Sequence, residues 1–179
     1  MTPACLMPEV VLEPLAERHL DALAELVRDP DVLRFTRVPE PAPPGFPREW
    51  IAAYEQGRRD GTREGFAAVA PGGGFLGLAL APAIDREGGE IELGYIVAPA
   101  ARGRGVATAL LGQLTRWAFD ELGMQRAFLI IDVSNPASER VAERCGYLRE
   151  GVMRSIHLKA GVRIDAALLS RLPSDPVPS

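Results

Sequence analysis

The chain has 179 residues, 47% of them hydrophobic and 25% charged, with a net charge of −4 at neutral pH. This is a globular composition long enough for one real core, so a single domain over 1–179 is expected, its last ~7 residues a tail. The negative balance argues against nucleic acid as a partner. Two cysteines, Cys5 and Cys145, with only His19 and His157 beside them, make neither a disulfide framework nor a metal site.

No apolar run approaches the ~18 residues of a membrane span, and the first residues lack a basic-then-apolar signal pattern. A cytoplasmic protein without a membrane partner is expected. Residues 1–8 read as a loose start, followed by a short strand at Val10-Val11-Leu12. Pro14 is expected to open a helix with Leu15, Leu20, Leu23, Leu26 and Val27 largely on one face, ended by Asp29-Pro30. Val32 to Arg37 adds a short turn. The proline-rich stretch Pro39 to Gly45 forbids regular structure and reads as a surface loop beside the site.

Pro47 suits the first turn of a second helix running to about Asp60, with Trp50, Ile51 and Tyr54 as its apolar face. Gly65 to Ala70 and Phe75 to Leu80 read as strands joined by Pro71-Gly72-Gly73-Gly74. After a turn at Asp85 to Gly89, Glu90 to Val97 alternates apolar and polar until Ala98-Pro99 stops it. Val106, Leu110, Leu114 and Trp117 then recur at helical spacing, with Gly123 as C-cap. Ala127 to Val133 is an interior strand by composition. Asn135-Pro136 starts a helix to about Cys145, and Val152 to Leu158 with Arg163 to Ser170 forms a closing hairpin turned at Ala160-Gly161. The sum is a mixed α/β chain.

Between the 90–97 strand and the long helix lies Ala101-Arg102-Gly103-Arg104-Gly105-Val106-Ala107-Thr108. It brings two glycines and two arginines to a helix N-terminus, where free N–H groups and the helix dipole favour an anion such as pyrophosphate. A dinucleotide fold is disfavoured. The turn there follows its strand directly, whereas five residues separate Val97 from Gly103, and Glu121, at about the distance expected of the acidic residue, falls inside the helix. A kinase-type phosphate loop would need a lysine after the glycines, and none is present.

Arg102-x-x-Gly105-x-Ala107 resembles the acyl-CoA pyrophosphate loop of the GNAT superfamily of N-acetyltransferases. With Glu92-Leu93-Gly94-Tyr95, Asn135-Pro136-Ala137-Ser138 and Cys145-Gly146-Tyr147-Leu148-Arg149-Glu150-Gly151, in that order and spacing, the chain resembles the RimJ/RimL-like branch. The resemblance implies a GNAT-like, mostly antiparallel sheet of six to seven strands with a splayed parallel pair, flanked by about four helices. It implies acetyl-CoA as co-substrate, no metal, and transfer of acetyl to a primary amine, either a protein N-terminus or a small molecule. A homodimer is a family expectation. A non-catalytic acyl-CoA-binding module is the alternative.

Carried over by likeness, the backbones of Tyr95, Ile96 and Val97 would meet the pantetheine arm. Gly103, Arg104, Gly105, Val106, Ala107 and Thr108 would cradle the pyrophosphate, with Arg102 and Arg104 adding charge. Asn135 would touch the CoA arm, and a backbone N–H near Val97 would stabilise the oxyanion. Ser138 would return a proton to the departing thiolate, because the tyrosine many relatives place seven residues after the asparagine is Ala142 here. Glu92 is the candidate general base; a salt-bridged strand residue is its other reading. Tyr147 reads as core or cleft lining, Cys145 as a small buried hydrophobe, and His157 as a surface or core histidine, with lining of the acceptor cleft, where family likeness puts its late strand, as the other reading.

Overall fold

Apolar and β-branched runs build seven strands: β1 Val11–Pro14, β2 Glu64–Val69, β3 Phe75–Asp85, β4 Glu90–Val97, β5 Arg126–Asp132, β6 Leu148–Lys159 and β7 Val162–Arg171. They form one sheet in the order β1-β2-β3-β4-β5-β7-β6. Every neighbouring pair is antiparallel except β4–β5. The computed structural model describes residues 8–176; Cys5 and the rest of 1–7, and residues 177–179 of the tail, lie outside them.

Among the described residues there are five α-helices, α1 Leu20–Leu26, α2 Pro30–Phe35, α3 Phe46–Asp60, α4 Val106–Arg116 and α5 Pro136–Arg144. The one beyond the expected four is α2. Asp29-Pro30 does stop the preceding helix, and it also starts this one: the Val32 amide donates to Asp29 Oδ1 at 3.0 Å and Pro30 fills the first helical turn. Pro14 opens no helix. It pairs with Phe66 at the end of β1, and α1 begins only after a 3₁₀ turn at Glu17–His19.

Helices cover both faces of the sheet. On one face Leu110, Leu111 and Leu114 of α4 pack with Ile91, Leu93, Leu129 and Ile131, and on the other Leu23, Leu26, Ile51 and Tyr54 pack with Leu78, Leu80 and Ile96. Each fully buried leucine contributes about 1.5–3 kcal/mol, enough to hold the helices against the strands. No helix among the described residues is long and apolar enough to cross a membrane.

Two strands run longer than their sequence signals. β3 continues past Leu80 because the extra residue at Ala81-Pro82 is absorbed in a bulge against β4, where a proline's missing N–H costs no ladder bond. β6 begins at Leu148 and is bulged between Met153 and His157. Ser155 there has φ 57, and its amide is satisfied by Asp165 Oδ1 at 2.7 Å.

The parallel pair is short. β4 and β5 pair only from Glu90 to Glu92 and Arg126 to Phe128. Beyond, β4 stays with β3 as far as Val97 opposite Gly77, while β5 stays with β7 as far as Asp132 opposite Ala166. The sheet therefore splays at its centre, as the family resemblance implied.

Candidate active site

The splay opens a cleft of about 830 Å³, walled by Leu93 to Val97 on one side and Leu129 to Asp132 on the other. That volume suits a sizeable organic ligand. The Ala98 amide donates to Leu76 O at 2.9 Å, and antiparallel hydrogen bonding alternates, so Ile96 faces β3 while Tyr95 and Val97 turn their backbone groups into the gap. The Ile96 backbone is therefore committed to β3, and its side chain lines the wall. Gly77 makes this close approach feasible. Its φ is 150, and a Cβ would sit 2.1 Å from Ile96 O.

At the end of β4 a short 3₁₀ turn, Pro99–Ala101, leads to the glycine loop and α4. Gly103 and Gly105 have φ 71 and 79, and a Cβ at Gly103 would meet only open space. The loop thus presents glycine backbone and the amides of Val106, Ala107 and Thr108 at the N-terminus of an eleven-residue helix. These features fit a pyrophosphate. Arg104 is exposed beside them. Thr108 lines a separate cavity of about 170 Å³ together with Pro8 and Gly112.

Arg102 departs from the expectation. Its guanidinium donates to Asp29 Oδ1 at 2.5 Å, to Asp31 Oδ2 at 3.0 Å and to Val97 O at 3.3 Å. It ties the glycine loop to α2 and is not free for phosphate. Burial raises the Asp29 carboxyl, but the bonds from Arg102 and the Val32 amide outweigh it and hold the group below its ordinary value.

Across the cleft, Asn135 accepts from the Ser138 amide at 3.2 Å and so caps α5. Ser138 Oγ lies 2.8 Å from the Tyr95 hydroxyl. Burial pushes the Tyr95 phenol up to about 12, partly offset by the Ser138 bond, so it stays protonated and able to donate. This side-chain contact of Tyr95 was not legible in the sequence, where the residue was singled out mainly for its backbone.

Glu92 lines the same cleft and is ion-paired, its Oε1 accepting from Arg37 Nη2 at 2.5 Å and its Oε2 from Nη1 at 3.4 Å. Glu92 is therefore the salt-bridged strand residue of the second reading, and its carboxylate also faces the cleft. His157 is not a bland core or surface residue, because the β6 bulge brings it to the cleft wall. Burial and the Arg37 charge lower its pKa, while Glu92 and Asp132 pull the other way. Tyr147 is core, its hydroxyl 2.7 Å from Thr115 Oγ1. Cys145 is buried, and that burial pushes its thiol to about 11, which leaves it inert as a nucleophile.

Sequence reasoning missed Arg37 and Lys159. Lys159 Nζ donates to Thr36 O at 2.9 Å and to Val38 O, fastening the β6–β7 hairpin to the segment after α2. Neither residue sits in a motif, and no local signal could have paired them. No cluster of metal-ligating side chains occurs among the described residues.

The acetyltransferase (GNAT) domain family matches residues 9–148. YdaF of Bacillus subtilis (strain 168), named as a candidate ribosomal N-acetyltransferase, is 32% identical over 100 residues, covering 56% of this chain and 55% of that protein. The SPbeta prophage-derived uncharacterized N-acetyltransferase YokL of the same organism is 29% identical over 141 residues, 79% of this chain and 75% of that protein. The chain thus spans little more than half of the first relative. Spermidine N-acetyltransferase from Vibrio cholerae, solved in complex with CoA and spermine, superposes with a TM-score of 0.82 at 22% identity, covering 93% of this chain and 96% of that one. At that identity the likeness concerns the fold. With most of its length matched by the family, the chain belongs to the GNAT acetyltransferases.

Proposed function

We propose that the chain, as one domain over 1–179 and a member of the RimJ/RimL-like branch, transfers acetyl from acetyl-CoA to a primary amine by direct attack in a ternary complex. The observation that carries this is the splay of β4 from β5 beside the glycine loop. Unpaired strand backbone in the gap calls for a partner that hydrogen-bonds like a strand, and the helix N-terminus a few residues on calls for an anion. Acyl-CoA offers both on one molecule.

Bound acetyl-CoA supplies a thioester carbonyl. Backbone groups of Tyr95 and Val97 hold the pantetheine arm with Asn135, and amides from Gly103 to Thr108 hold the pyrophosphate. The amine nitrogen bonds to the carbonyl carbon as the carbon–sulfur bond breaks. The Val97 N–H faces the oxygen on which negative charge develops. The ammonium proton passes to Glu92, with neutral His157 on the same cleft as a second acceptor, and the thiolate takes a proton from the Tyr95–Ser138 hydroxyl pair. An α-amine, with a pKa of ~7.7–8.0, needs only a weak base, which suits a carboxylate already held by Arg37.

CoA release measured against a panel of peptide N-termini and small amines tests this reading, alongside acetyl-CoA binding by calorimetry. Turnover of at least one amine, lowered about 10²-fold with Glu92→Gln, is expected. Acetyl-CoA binding without turnover of any amine would instead make the chain a non-catalytic acyl-CoA-binding module.

A further inference from the structure

We infer that the acceptor is a monoamine bearing a bulky apolar group beside its amino group, and not a polyamine; this deepens the acetyl-transfer reading above and rests on it. Two independent features of the cleft carry the inference.

The first is charge. Four carboxylates line the cleft, Asp31, Glu40, Glu92 and Asp132, against four basic side chains, Arg34, Arg37, Arg102 and Lys159. Three of the carboxylates also have partners of their own. Glu92 is bound by Arg37, Asp31 by Arg102, and Asp132 Oδ1 accepts from the Ser134 amide at 2.7 Å, which leaves Glu40 at the exposed rim. A polycation would enter a site with no net negative charge, in which two of the four carboxylates already hold an arginine. A single amine that gives up its charge on attack faces no such barrier.

The second is an apolar wall. Phe46, Trp50 and Tyr54 recur at four-residue spacing on α3 and so form one stripe along it, with ring centroids 5.5 Å and 6.4 Å apart. All three line the cleft, and Phe46 and Trp50 keep part of their surface open. Ile156 and Leu158 of the β6–β7 hairpin line it too and are 38% and 63% exposed. Lys159, by bonding the Thr36 and Val38 carbonyls, holds that hairpin to the chain leading into α3. A bulky side group seated here would cover apolar surface that water now wets.

The same chemistry exists on a free arylalkylamine and on a peptide with an aromatic first residue, and the test separates them. The full chain is supplied with acetyl-CoA and, in turn, 2-phenylethylamine, a Phe-Ala-Ala-Ala amide peptide, ethylamine and spermidine. One or both bulky monoamines should exceed ethylamine and spermidine in kcat/KM by about tenfold or more; the better of the two identifies the source. Trp50→Ala and, as the milder change, Phe46→Leu should lower the ratio of bulky amine to ethylamine, with acetyl-CoA affinity by calorimetry confirming an intact fold. A preference for spermidine, or a ratio unmoved in both variants, overturns the inference while leaving acetyl transfer standing. Acetyl-CoA binding with none of the four amines turned over also overturns it. Failure to bind acetyl-CoA removes the acetyl-transfer reading and this inference with it.

Discussion

The Tyr95 hydroxyl and Ser138 Oγ lie 2.8 Å apart, joining β4 to the start of α5 across the mouth of the splayed strands. Neither group has another side-chain partner among the hydrogen bonds of the described residues, so the pair is free to pass a proton into the cleft. Tyr95→Phe removes the phenol and should lower kcat by about 10², the lower range of general-acid effects. Ser138→Ala should give a smaller loss, and α5 should stay folded because Asn135 caps the Ser138 amide and not its hydroxyl. Steady-state kinetics with acetyl-CoA affinity measured separately check both; equal loss of affinity and kcat would count against a proton-handling role.

Glu92 and Arg37 separate stability from chemistry. The pair is partly exposed on the arginine side, with side-chain exposures of 52% and 12%. Such pairs contribute about 1 kcal/mol or less. Glu92→Gln should therefore shift the denaturant midpoint little while lowering kcat/KM by about 10². A large loss of stability with retained turnover would assign Glu92 a purely structural role.

His157 predicts an acid-sensitive fold. Burial first, then the Arg37 charge, lowers its folded pKa below the ordinary value of ~6.5. Below that value the unfolded chain takes up a proton that the folded chain still refuses, so His157 destabilises the fold increasingly as pH drops from ~6.5, and this penalty is absent above it. Denaturation at pH 7.5 and 5.5 should show a drop that His157→Gln makes smaller. Because the chain has only two histidines, an NMR titration reads the shift directly. Arg37→Gln should move the His157 midpoint up, since one of the two causes of its depression is removed.

Gly77 and Gly94 form a matched pair of glycines. A Cβ at Gly77 would lie 2.1 Å from Ile96 O at φ 150, whereas one at Gly94 meets nothing within 4 Å. Gly77→Ala should destabilise by about 2–5 kcal/mol, overpacking and backbone strain adding together. Gly94→Ala should fold with a Tm close to that of the parent while altering kinetics, because Gly94 lines the cleft. Thermal melts of the two variants check the contrast.

Much of the donor side was legible before any coordinates. The glycine loop, the alternation of Glu90 to Val97 and the Asn135-Pro136 helix start are each written within a few neighbouring residues. Where the reading failed locally, a competing local rule had won. Asp29-Pro30 both ends α1 and starts α2, and Pro82 sits in a bulge and does not end β3. The acceptor side was not legible. Arg37 meets Glu92 across 55 positions, Tyr95 meets Ser138 across 43, and Lys159 meets Thr36 across 123.

The sequence by itself determined where the chain turns, caps and alternates, because those depend on backbone sterics and hydrogen bonds that close within one helical turn or strand repeat. From them followed a mixed α/β chain with an anion-compatible helix start at α4; the family fold came from the resemblance of the ordered motifs. Tertiary structure alone decided which charges meet. It sent Arg102 to Asp29 and Asp31 and away from the phosphate cradle, gave Glu92 a guanidinium partner, and turned His157 into the cleft through the β6 bulge. Long, flexible side chains take the partner that strand register and helix packing place within reach, and that distance is written in no stretch of neighbouring residues.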